Sequence, residues 1–122
     1  MKKVLVVDDS RIMRNIVKNT FNEMKIPCEY LEAANGNEAL LKIHTQNPDL
    51  VLLDWNMPEL SGIELLKKVR ANPLYRDLPI VMITSESARY SVIEALKYGA
   101  TDYIIKPVNE RTFIEKLARL SL

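Results

Sequence analysis

Glycine is scarce in this 122-residue chain: Gly36, Gly62 and Gly99 are the only three. None lies in a G-x-x-x-x-G-K-[ST] or G-x-G-x-x-G pattern, so the glycine-rich cradles that hold nucleotide phosphates are excluded. There is no G-x-S-x-G nucleophile elbow either. Cys28 is the single cysteine, which rules out an internal disulfide and fits a reducing compartment. It sits in the alternating segment Cys28-Glu29-Tyr30-Leu31-Glu32 and reads as a buried structural thiol. His44 is the single histidine and reads as a surface residue on a helix, so no Cys/His zinc constellation can be built. Neither sign of charge is in excess: 17 Lys and Arg face 16 Asp and Glu, a net +1. That balance gives no electrostatic basis for nucleic acid or an anionic membrane as partner. Long apolar runs are missing too. Lys2-Lys3 are followed by only four apolar residues before the first aspartates, too few for the core of a signal peptide, and no run reaches membrane-spanning length. The chain reads as a cytoplasmic monomer, a single domain over residues 1–122, with no repeat, linker or low-complexity tract.

What the chain does have is alternation. Short continuous runs of aliphatic residues, Val4–Val7, Leu50–Leu53, Ile80–Ile83 and Tyr103–Ile105, read as strands buried on both faces, and Cys28–Glu32 as a further strand. Helical spacing separates them. Ile12, Ile16, Val17 and Phe21 mark a helix over 10–24, with Ser10 or Asp9 as its cap. Ala39, Leu40 and Ile43 mark one over 37–46, after the turn signal Asn35-Gly36. Ile63, Leu65, Leu66 and Val69 mark a third, which ends near 71–73. Val92, Ala95 and Leu96 mark a fourth over 88–98, with Gly99 placed as a C-terminal cap. Phe113, Ile114, Leu117 and Leu120 mark a fifth, capped by Asn109. Five strand–helix repeats predict an α/β, (βα)5 doubly wound domain with a parallel sheet. Right-handed crossovers then set the first and third strands side by side at the switch point, where ligands bind outside the carboxyl ends of the strands.

Four of those strands end in polar residues of one chemistry. The first runs into Asp8-Asp9, the third into Asp54, the fourth into Thr84 and the fifth into Lys106-Pro107. Each has a plain structural explanation taken alone: aspartates cap helices and occupy turns, threonine is an ordinary strand residue, and lysine is usually solvated. Together they place three carboxylates, a hydroxyl and an ammonium at one edge of one sheet. Clustered carboxylates repel, and burial worsens the repulsion, so a cation is expected among them. Mg²⁺ suits oxygen ligands with few carboxylates and a phosphate oxygen. Lys106 is placed to pair with Asp54 and then with a phosphoryl oxygen, and Thr84 to donate to it.

The runs Val-Val-Asp8-Asp9-Ser, Leu-Leu-Asp54-Trp-Asn-Met-Pro, Ile-Thr84-Ser-Glu and Tyr103-Ile-Ile-Lys106-Pro107 resemble the receiver domain of two-component response regulators. The resemblance covers the whole chain and is greatest to the stand-alone chemotaxis regulators of that family. It implies a flavodoxin-like sheet of strand order 2-1-3-4-5. It implies that Asp54 accepts a phosphoryl group from a histidine kinase. By the same match, Asp9, Asp54 and the backbone carbonyl of Asn56 bind Mg²⁺, with Asp8 acting through water. Lys106 contacts the phosphoryl group, Thr84 closes on it and Tyr103 swings inward as the switch. A cis bond before Pro107 is implied as well. The partner face carries Val92, Tyr103, Ile105 and Lys116, and its target is a flagellar motor switch protein or another protein, with a phosphatase as a further partner. Two other readings compete. One is a receiver of another pathway, stand-alone or cut from a longer regulator. The other is a Mg²⁺-dependent aspartyl-phosphate phosphohydrolase, disfavoured because Ser10 stands where such enzymes carry an acid two residues after the nucleophile. The reading is thus a switch rather than an enzyme.

Overall fold

The computed structural model describes residues 2–55, 57, 60–85, 89–106 and 109–119, with 89–91 described by their backbone alone. The chain alternates β1 (Lys2–Val7), α1 (Arg11–Glu23), β2 (Cys28–Ala33), α2 (Gly36–Gln46), β3 (Leu50–Asp54), α3 (Gly62–Arg70), β4 (Ile80–Thr84), α4 (Arg89–Lys97), β5 (Asp102–Ile105) and α5 (Glu110–Ala118). A 3₁₀ turn, Pro73–Tyr75, joins α3 to β4. All five strands are parallel and lie in the order β2-β1-β3-β4-β5. The expected (βα)5 doubly wound, flavodoxin-like fold is therefore the one observed.

Period-two alternation divides the central strands between two apolar layers. Leu5, Val7, Val51, Leu53, Ile80 and Met82 face α2, α3 and α4. Val4, Val6, Leu50, Leu52, Val81 and Ile83 face α1 and α5. Both sides of the sheet are dry, which is why these runs are continuously apolar. On the second side Phe21 of α1 meets Phe113 of α5 edge to face, 5.4 Å between ring centres.

Helix starts follow their caps. The Ser10 hydroxyl accepts from the Met13 amide, Asn35 from Glu38, Ser61 from Glu64 and Asn109 from Thr112. Gly99 has φ +104°, as the cap expectation required. Some expectations shift. The second helix begins at Gly36, because Asn35 rather than Asn37 stands before it. Cys28 is only half-buried, since the outer strand β2 is covered less completely than the centre. Ile12, Ile16 and Ile114 face outward although their spacing marked an apolar stripe; the helices bury Val17, Phe21, Phe113 and Leu117 instead. His44 is exposed as expected, and its Nδ1 lies 2.7 Å from the Tyr75 hydroxyl. Ala88 and Leu120 lie outside the described residues. Among the described residues no helix is long and apolar enough to cross a membrane.

Candidate functional site

The carboxyl ends of β1, β3, β4 and β5 lie side by side, so the residues that follow them converge. Asp54 closes β3, the middle strand, opposite Ile83 of β4. It is 5 % exposed. Asp8 follows β1, and its amide extends the sheet by donating to the Ala33 carbonyl at 3.1 Å. Its side chain is buried and accepts from the Ser10 amide at 2.8 Å. Asp9 is exposed. Carboxylate oxygens of Asp8, Asp9 and Asp54 all lie within 4.8 Å of one another. Lys106, directly after β5, is anchored by its amide to the Thr84 carbonyl at 2.7 Å. Its ammonium donates to Asp54 Oδ1 at 3.0 Å and stands 3.9 Å from Asp8 Oδ2. Thr84 closes β4 and is buried.

Burial sets the electrostatics of this group. It pushes the Asp54 carboxyl above its ordinary value; the hydrogen bond and charge of Lys106 pull the other way, and the Asp9 charge adds to the rise. Burial also raises Asp8, opposed by the Ser10 amide and Lys106, and reinforced by Asp54 and Asp9. One ammonium therefore offsets only part of three carboxylates. The donor set is all oxygen and acidic, which fits a hard divalent cation such as Mg²⁺ rather than a soft one.

Two contributors to this geometry were not singled out in the sequence. A Cβ on Gly62 would lie 2.2 Å from the Asp54 carbonyl oxygen, so only glycine lets α3 start against the end of β3. The signal was available: Gly62 is one of three glycines and follows the Asp54 loop. Arg14 donates from its guanidinium to the Asp8 carbonyl at 2.6 Å and to Glu32 at 3.0 Å, tying α1 to the start of the acidic loop. Of the remaining expected residues, Asn56 and Pro107 lie outside the described residues. Val92 is half-buried on α4. Tyr103 is half-buried and Ile105 is 37 % exposed on β5, the edge strand.

A family model described as the response regulator receiver domain matches residues 4–118. The chain belongs to the response regulator receiver family. This receiver is 49 % identical over 117 residues to a chemotaxis protein CheY homolog of Campylobacter jejuni, covering 94 % of this chain and 88 % of the relative. It is 47 % identical over 116 residues to the chemotaxis protein CheY1 of Helicobacter pylori, covering 94 % and 93 %. Its fold matches the structure of the chemotaxis response regulator CheY4 of Vibrio cholerae with a TM-score of 0.87 and 38 % identity, over 98 % of each chain. It is a CheY-type receiver, and its business is phosphorylation-dependent signalling in a two-component system. In this receiver Lys116, expected on the partner face, also makes contacts within the protein: its ammonium bonds Asp102 Oδ1 at 3.0 Å and covers the Tyr103 ring at 4.2 Å.

Proposed function

We propose that this receiver is a chemotaxis switch that accepts a phosphoryl group on Asp54 from a histidine kinase and thereby changes its affinity for a flagellar motor switch protein. One observation carries the reading: a buried carboxylate at the end of the central strand, held by a lysine at 3.0 Å and crowded by two further aspartates. The chemotaxis assignment is supported by the names of the relatives. In the transfer an Asp54 oxygen attacks phosphorus in line, the P–N bond to the kinase histidine breaks, and the imidazole leaves with that electron pair. Lys106 keeps Asp54 ionised against burial, orients the attacking oxygen, and moves its donor to a phosphoryl oxygen as negative charge grows there. Thr84 donates its hydroxyl to the same group once it is attached. Asp9 and Asp54, with the carbonyl of Asn56, would hold Mg²⁺, Asp8 would act through water, and the ion when bound would supply positive charge to the phosphoryl oxygens. The acyl phosphate then favours one of two arrangements of the site and of Tyr103, and the target binds the favoured one more tightly. Val92, Ile105 and Lys116 complete the face it binds. The receiver works in the cytoplasm as a monomer, and a separate phosphatase is a further partner.

The test is incubation with acetyl phosphate and Mg²⁺, followed by mass spectrometry that locates the modified residue. One phosphoryl group on Asp54, absent from Asp54→Asn, is expected. Full modification of that variant at another position would remove Asp54 from its role. Many turnovers of a simple phosphomonoester would favour the hydrolase reading.

A further inference from the structure

We propose that Asp102 is a positioning residue that clamps the Tyr103 ring through Lys116. The inference rests on the reading of Tyr103 as the switch residue. Asp102 opens β5 and its carboxylate is nearly covered, with 13 % of the side chain exposed. It gathers three donors. Oδ1 accepts from the Tyr103 amide at 2.8 Å and from the Lys116 ammonium at 3.0 Å, and Oδ2 lies 3.6 Å from a guanidinium nitrogen of Arg119. Arg119 is 67 % exposed along its side chain, whereas Lys116 is 17 % exposed, so Lys116 is the cation held in place. From that position its ammonium stands 4.2 Å from the centre of the Tyr103 ring, within cation–π distance.

The geometry has a direction. Lys116 projects from α5 on one side of the sheet, whereas the Tyr103 ring packs with the apolar layer on the other. Asp102, at the edge, is the group that draws the ammonium across. Tyr103 can leave the position seen here only by giving up the ammonium over its face. Asp102 therefore biases the two positions of the ring although it touches neither the ring nor the phosphorylation site. It also withholds Lys116 from any acidic partner surface while the clamp is closed. A switch with a neutral residue at 102 lacks this bias, so Asp102 tunes how far the unphosphorylated protein resembles the phosphorylated one.

The experiment compares parent, Asp102→Asn and Asp102→Glu by NMR with labelled lysine and tyrosine, each before and after phosphorylation by phosphoramidate and Mg²⁺, with occupancy matched by mass spectrometry. Asn keeps the short bond to the Tyr103 amide but loses the charge. In the parent, the Lys116 ε-protons should resonate upfield of exposed lysines because they sit over the ring. Asp102→Asn should return them to the exposed position and move the unphosphorylated Tyr103 signals at least a quarter of the way toward those of the phosphorylated parent; Asp102→Glu should restore both. An upfield Lys116 signal that persists in Asp102→Asn, or none in the parent, overturns the clamp. Tyr103 signals in the parent that ignore phosphorylation overturn the switch reading of Tyr103, and the Lys116 signal still reports separately on the clamp. A merely structural role for Asp102 predicts a lower melting temperature with the Lys116 and Tyr103 signals unmoved.

Discussion

Replacing Asp54 by Asn should make the metal-free protein more stable while it removes the phosphoacceptor. The sign follows from the distances. Carboxylate oxygens of Asp8 and Asp9 lie within 4.8 Å of Asp54. With an effective dielectric constant of about 20, each such pair repels by at least about 3.5 kcal/mol at 4.8 Å. The Lys106 ammonium at 3.0 Å returns about 5.5 kcal/mol on the same scale, so two repulsions outweigh one attraction by roughly 1.5 kcal/mol. Burial of the charge acts in the same direction. A gain of about 1–2 kcal/mol corresponds to a rise in Tm of about 4–8 °C for a domain of this size. Asp9→Asn should move the same way, without any contribution from burial, because Asp9 is exposed. The pH dependence has a fixed sign. Both Asp54 and Asp8 are raised in the folded state, so their contribution favours folding below the ordinary carboxylate value and is lost as pH rises through the raised values. The gap between Asp54→Asn and parent should therefore open as pH climbs out of the carboxylate range toward neutrality. Thermal unfolding in EDTA across that range measures it. Added Mg²⁺ should stabilise the parent more than the variant and narrow the gap. A Tm in EDTA that is unchanged or lower for both variants at neutral pH would refute the picture of a crowded, under-compensated acidic site.

Gly62→Ala should destabilise the protein by about 1–3 kcal/mol, the usual cost of overpacking, because its methyl group would meet the Asp54 carbonyl oxygen. It should also slow modification by acetyl phosphate; an unaltered melting curve together with an unaltered rate would show that α3 shifts freely away from β3. Trp55 directly follows Asp54, and its amide is held by the Ile83 carbonyl at 3.1 Å. Its fluorescence should change saturably with Mg²⁺, with a weaker response in Asp9→Ala; a flat titration, with binding confirmed calorimetrically, would place the ring outside the metal's influence.

Much of this receiver was decided locally. Doubly buried strands must be apolar along their whole length, and a residue that ends such a strand must sit at the sheet edge. Val4–Val7, Leu50–Leu53 and Ile80–Ile83 therefore disclosed both the parallel sheet and the meeting of Asp8, Asp9, Asp54 and Thr84. Caps are local as well, which is why Ser10 and Asn109 were legible and Asn35 missed by only a residue or two. The order of the strands was not local; it came from resemblance, since no single segment encodes which strand lies beside which. Tertiary structure alone decided the rest. Helical spacing marks an apolar stripe but not how wide a stripe the sheet covers, so Ile12, Ile16 and Ile114 were left facing out. The contact of Lys106 with Asp54 joins residues 52 apart in sequence, and its 3.0 Å length is set by the pairing of β3, β4 and β5. Gly62 matters because a backbone oxygen lies where its side chain would be. Lys116 reads only as a residue of the partner face until α5 is docked beside β5 and Asp102 is found across the gap. A residue's chemistry and its face are properties of its neighbours in sequence, whereas its partner is a property of the packing, and the packing assigned Lys116 to Asp102 and Tyr103.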